Sequence, residues 1–314
     1  MTMGVFVFLP LILPLTALPI SRLAAQHLHP RAATRLMTTI SVAMALCSAV
    51  CLGLLGVVGT AQIPGNPLPD SWSDPEVRAA VPFHEEVGTA ALIALALVLL
   101  TVAATALRHL RVRVRARRVL STVPGTTGPA VTRDDEPYAY ALPGRPGRIV
   151  VSTGMLDSLD ESERRALFAH EQAHLTDRHH RVRLATQLAS AVNPFLRPLQ
   201  HAVAYTTERW ADEEAAAAVG DRRLTARAVA KAALVSHRGP GHPLPAFAAP
   251  GPGPVPRRIA ALLGPAPDDA PWPPARSPAG LAAMVAAAGT AASALSALNA
   301  AVALLLVLKA ATPL

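Results

Sequence analysis

Four stretches of this chain are apolar enough to cross a membrane, and they constrain its fold more than any other feature. Met3 to Ile20, Met37 to Thr60, Gly88 to Leu107 and Leu281 to Leu308 approach or exceed the roughly 20 residues a helix needs to span a ~30 Å hydrocarbon layer. The third is the strongest, with "ALIALALVLL" at its centre. The fourth begins weakly, in alanine, and is decided by "AVALLLVL" near its end. Its Ala, Gly and Ser side chains suit close helix packing in lipid. The first run is interrupted by Pro10, Pro14 and Pro19, which predicts a kinked helix. A cleaved signal peptide fits that run poorly, because no basic segment precedes it and Arg22 follows it. With 51% apolar and 16% charged residues, the composition argues against an ordinary soluble domain. Cys47 and Cys51 lie inside the second run at helical i, i+4 spacing, so they are expected to pack against neighbouring helices rather than form a disulfide framework.

The basic residues orient these spans. The first loop carries Arg22, Arg31 and Arg35 and no acid. The second, Ala61 to Val87, holds Asp70, Asp74, Glu76, Glu85 and Glu86 against Arg78 alone. After the third span comes "RHLRVRVRARR", with six arginines from Arg108 to Arg118. This bias puts the first loop inside, the second outside and the long segment after Leu107 in the cytoplasm. The fourth span then returns the C-terminus to the outside, with Lys309 as a small contrary charge. The net charge of +8 allows nucleic-acid binding, but an arginine run placed directly after a transmembrane helix reads as an anchor to lipid phosphates. No direct nucleic-acid binding is expected.

The expected architecture is a mainly α integral membrane protein of four transmembrane helices. Residues 1–107 hold three of them, and a cytoplasmic α+β domain (108–238) is inserted between the third and fourth. A proline-rich linker (239–280) with a short helix around Arg257 to Leu263 leads to the fourth helix at 281–309.

The chemistry is concentrated in "LFAHEQAHLTDRHH", Leu167 to His180. "RIVVST", Arg148 to Thr153, reads as a strand after the turn "LPGRPG". Asp160 is a good helix N-cap, and Glu163 three residues later completes a capping box. No helix breaker intervenes before His170 and His174, which therefore share one helical face, about 6 Å of rise apart. Two imidazoles so placed can bind one zinc ion. Glu171 projects beside them, where it can take a proton from a water. A catalytic zinc wants a third protein ligand. "AVAYTTERWADEEAAAAVG", Ala202 to Gly220, is a helix that ends at a glycine stop. Its Glu208 can complete the set, and Asp212, one turn on, can accept a hydrogen bond from the outer nitrogen of a ligand histidine. His201 and Tyr205 share that helical stripe and are candidates for stabilising a transition state. His179 and His180, at the helix end just beyond His174, read as surface residues or as residues behind a ligand, and neither is expected to ligate. The strand at Arg148 to Thr153 is a candidate for pairing with an extended substrate.

Taken together, "FAHEQAH" and "ERWAD" resemble the gluzincin pattern His-Glu-x-x-His plus Glu-x-x-x-Asp. "YALPGRPGRIVVSTGML" resembles the strand and turn before the zinc helix in two related families. These are the β-lactam sensor-transducer (BlaR/MecR-like) integral membrane metallopeptidases and the HtpX-like membrane proteases. The span arrangement is more similar to the first. The resemblance covers Met3 to about Leu263 and the fourth span. It implies that His170, His174 and Glu208 bind Zn2+, that Glu171 is the catalytic base, and that Asp212 supports a ligand from behind. The antibiotic receptors continue past the fourth span into an extracellular penicillin-binding domain, whereas this sequence stops at Leu314, so β-lactam sensing is not carried over. The implied activity is zinc-dependent hydrolysis of an internal peptide bond in a cytoplasmic protein, such as a transcriptional repressor. Two other readings stay open: quality control of membrane proteins, and a non-catalytic zinc-binding membrane transducer.

Overall fold

The computed structural model describes residues 7–61, 63, 84–122, 128–144, 147–236, 255–267 and 276–311. The start of the first apolar run, most of the acidic second loop and most of the proline-rich stretch lie outside the described residues.

The chain opens with helix α1 (Leu9–Ile12), a 3₁₀ turn (Leu13–Thr16) and α2 (Ala17–His27). Among the described residues the first candidate span runs Leu9–His27, past the expected end at Ile20, while the expected start at Met3 lies outside them. Pro10 and Pro14 open short helical segments, where a proline needs no N–H donor, and helix-forming alanines carry α2 past Arg22. Pro14 has no N–H to give the Pro10 carbonyl, so that carbonyl accepts from Ser48 Oγ at 2.7 Å. Asn193 Nδ2 donates to the Leu11 carbonyl at 3.2 Å and to Ser48 Oγ at 3.0 Å. Backbone groups freed in an apolar setting must find such partners. Replacing Asn193 by Leu, which is close in size but cannot hydrogen-bond, is expected to cost about 1–3 kcal/mol. A denaturant unfolding curve in detergent checks this, and an unchanged midpoint would show that the kink does not need the amide.

The second and third spans lie in α3 (Pro30–Ala61) and α4 (His84–Thr122). The arginine run continues α4 without a break. At Gly59 of α3 a Cβ would sit 2.5 Å from the Gly88 carbonyl oxygen, so glycine is what lets the two helix backbones meet. Cys47 and Cys51 are free thiols packed with Leu52, Leu55 and Ala91, as the i, i+4 spacing predicted.

Next come β1 (Ala130–Thr132), β2 (Ala139–Leu142) and β3 (Arg148–Ser152). They form a sheet of order β1-β3-β2, with β1 parallel and β2 antiparallel to β3. Helices α5 (Thr153–Ser158), α6 (Glu161–Thr176) and α7 (His179–Val192) follow, then a 3₁₀ turn (Pro194–Leu196), α8 (Arg197–Val219) and α9 (Arg222–Ser236). The last two are α10 (Val255–Leu263) and α11 (Pro278–Ala311), which holds the fourth candidate span.

The capping box forms as expected. Asp160 Oδ1 accepts from the Glu163 N–H at 2.8 Å, and Glu163 Oε2 accepts from the Asp160 N–H at 2.9 Å. Gly220 closes α8 in the left-handed region, at φ 76°. Helix α8 shares one core with the candidate membrane helices α2 and α3. Leu196, Leu199 and Val203 pack with Ile20 of α2 and with Met37, Ile40 and Met44 of α3. Beside this contact the buried Thr34 hydroxyl of α3 donates to Thr206 Oγ1 of α8 at 2.8 Å.

Candidate active site

The capping box fixes where α6 starts and hence which face carries His170 and His174. Their Nε2 atoms lie 3.1 Å apart. α8 packs across α6 and brings in Glu208, with Oε2 3.6 Å from His170 Nε2 and Oε1 3.7 Å from His174 Nε2. A tetrahedral zinc with bonds of about 2.0–2.2 Å sets its donor atoms about 3.3–3.5 Å apart. The histidine pair lies close to that spacing, and Glu208 reaches one histidine with each of its two oxygens, so the donor set fits a zinc ion in chemistry and in approximate spacing.

Asp212, one turn beyond Glu208, is fully buried, and its Oδ1 lies 3.1 Å from His170 Nδ1. A residue absent from the sequence reading holds it there. Arg258 of α10 donates from Nε to Asp212 Oδ2 at 2.8 Å and from Nη2 to Oδ1 at 2.6 Å. Its Nη1 is also 3.2 Å from Glu208 Oε2. The only sequence signal was an arginine pair in the short helix after the proline-rich run. Its neighbour Arg257 instead places its guanidinium carbon 4.8 Å over the Tyr205 ring.

The electrostatics favour a cation inside the triangle. Burial disfavours charge on His170, but the Asp212 and Glu208 carboxylates beside it outweigh that and raise its pKa to about 10, so its own imidazolium is the cation there until an ion ligated at Nε2 displaces that proton. Burial pushes His174 well below its ordinary value, which keeps it a neutral imidazole fit to ligate. Burial also opposes the charge on Glu208, yet His174 and Arg258 pull that carboxyl well down. Asp212, equally buried, is held low by the Arg258 guanidinium. Glu171 goes the other way. Burial raises it, against the counteracting pull of His170 and of the Ala141 backbone. A carboxylate raised in this way is a stronger base than one in water.

A cavity opens beside the triangle, lined by Tyr140, Ala141, Glu171, His174, Arg183 and Glu208 among others. His201 is exposed and Tyr205 is buried under Arg257, and neither lines this cavity. Arg183, with Nη1 3.5 Å from Glu208 Oε1, is the cation that does. The expectation that the strand at Arg148 to Thr153 receives a substrate is corrected. β3 is the central strand, buried throughout and paired on both edges. The strand bordering the cavity is β2, an edge strand.

Of the two positions open to the last two histidines, the surface or behind a ligand, His179 takes the second. Arg178 adopts a left-handed conformation, φ 54° and ψ 41°, and the chain turns sharply between α6 and α7. His179 is thereby 1% exposed, with Nδ1 2.8 Å from His174 Nδ1. His180 lines the cavity.

Residues 107–200 match the model of peptidase family M48. The match includes His170, Glu171 and His174 and stops before Glu208 and Asp212. It supports a metallopeptidase, and with four helices long and apolar enough to cross a membrane it points to a multi-pass membrane enzyme. No curated protein and no solved structure matches the chain.

Proposed function

We propose that this chain is a membrane-embedded zinc endopeptidase whose active site faces the cytoplasm. The observation that carries the reading is the convergence of His170, His174 and Glu208 within one metal-sized triangle, with Glu171 beside it. A zinc ion bound by those three groups supplies Lewis-acid polarisation of the scissile carbonyl and makes water nucleophilic near neutral pH. The remaining work falls to the chain. Asp212 orients His170, and Arg258 orients Asp212 and Glu208. Glu171 takes the proton from the attacking water and returns it to the leaving amine. The free edge of β2 offers backbone groups to an extended peptide laid along the cavity. Arg183 is placed to stabilise negative charge developing on the carbonyl oxygen.

The cytoplasmic side follows from the arginine bias of the first loop and of the segment after the third span. Within this class we favour a signalling protease that cleaves a cytoplasmic regulator such as a transcriptional repressor, over a quality-control protease. The shared core of α2, α3 and α8 supports that choice, because movement of a span is felt by the helix that carries Glu208. The test is cleavage by the purified full-length protein in detergent, before and after stripping with a chelator. Stripping is expected to abolish cleavage and added Zn2+ to restore it. Cleavage at one bond of a folded regulator, with unfolded casein left intact, favours signalling. The reverse pattern favours quality control. Activity unaffected by stripping ends the metallopeptidase reading.

A further inference from the structure

The two ligand histidines are backed in different ways. His170 turns its outer nitrogen to Asp212, a carboxylate pinned by Arg258. His174 turns its outer nitrogen, Nδ1, to another imidazole, His179 Nδ1 at 2.8 Å. A histidine that ligates through Nε2 carries its proton on Nδ1, so His174 donates and His179 accepts. The His179 proton then sits on Nε2, a buried atom with no hydrogen-bond partner among the described residues. A buried polar group left unpaired costs stability, which argues that the residue is kept for what its other nitrogen does.

A stack holds the His179 ring in place. The ring lies against Trp210, with centroids 4.6 Å apart and a tilt of 55°. The guanidinium carbons of Arg31 and Arg35 each lie 5.4 Å from the Trp210 centroid, within cation–π range. Trp210 Nε1 donates to Glu214 Oε1 at 3.1 Å, which sets the plane of the indole. Arg31 and Arg35 belong to the first turns of α3, the helix of the second candidate span. The Thr34–Thr206 hydrogen bond ties those same turns to α8.

We propose that His179 is the positioning residue for His174, and that Trp210 with Arg31 and Arg35 holds it there, linking the metal site to the inner end of the second span. This rests on the metal-site reading above.

The test uses the full-length protein in detergent and reads Zn2+ affinity by competition with a chromophoric chelator, together with the visible spectrum of the Co2+-loaded protein. His179→Leu is expected to weaken Zn2+ binding about 10–100-fold. His179→Asn, whose Oδ1 falls where His179 Nδ1 lies, is expected to recover most of that loss. His179→Gln, nearer in volume but with its oxygen one bond further out, is not. Trp210→Leu and the Arg31→Gln/Arg35→Gln double variant are expected to weaken binding in the same direction and to shift the Co2+ bands. Full Zn2+ affinity in His179→Leu overturns the proposal, as does a Gln variant that equals the Asn variant. If His179→Leu does not fold, the Asn–Gln comparison decides. Unchanged affinity and spectrum in both the Trp210 and the arginine variants overturns the link to the span. A wild-type protein that binds neither ion fails one step earlier, overturning the metallopeptidase reading and this proposal together.

Discussion

Replacing Glu171 by Gln is expected to lower kcat for peptide cleavage by about 10²–10⁴-fold, the range that a positioned general acid–base contributes. Bound Zn2+ is expected to stay near the wild-type level. The two effects separate because Glu171 lines the cavity but is not one of the three groups in the triangle. Glutamine keeps the shape and the contact at the Ala141 backbone while removing the basic oxygen. Burial raises the Glu171 carboxyl above its ordinary value, and that added proton affinity is what the substitution discards. Metal content by atomic absorption and turnover of a fluorogenic peptide measure the two halves independently. A variant that holds zinc and keeps full turnover would show that another group is the base. One that keeps zinc, loses turnover and still functions in cells would show that the protein works as a transducer rather than as a protease.

The parts of this site governed by local rules could be read from the sequence. The histidines at i, i+4, the capping box at Asp160 and Glu163, and the pairing of Glu208 with Asp212 all depend on helix periodicity, which is written in spacing. The apolar runs located the four candidate spans for the same reason, though the third helix carries on from Leu107 through the arginines to Arg118. Two contributors could not be settled by local rules because long-range packing places them. His179 reaches His174 through a left-handed Arg178, and "TDRH" contains no glycine or proline to announce a turn. Arg258 meets Asp212 across 46 residues that include the proline-rich stretch, and nothing local distinguishes it from Arg257. The misplaced substrate strand has a similar origin. Strand character in "RIVVST" marks β3 as apolar and buried, but whether a strand is central or at an edge is decided by its partners. Here those partners are the short β1 and β2.

Arg258→Met should destabilise the protein by about 3–5 kcal/mol, the cost of leaving a buried charge without its partner. Asp212 is fully buried, Glu208 nearly so, and Arg258 is 6% exposed, so water can do little to screen what is left. Methionine fills much of the volume, which separates the electrostatic loss from a cavity. The Arg258→Met/Asp212→Asn double variant removes the pair rather than one half of it. Its loss is expected to be smaller than the sum of the single losses, because the two residues interact directly. Zn2+ affinity should follow a different order. With Arg258 gone, Glu208 and Asp212 attract a cation more strongly but are no longer held in place. In the double variant, His170 also loses the carboxylate behind its outer nitrogen and is expected to bind Zn2+ about 10–100-fold more weakly. Denaturant midpoints and chelator competition on the wild type, Arg258→Met, Asp212→Asn and the double variant resolve the two scales. A single variant that unfolds within about 1 kcal/mol of wild type, the range of an exposed ion pair, would mean that α10 contributes no buried charge to the site. The triangle would then be held by α6 and α8 alone.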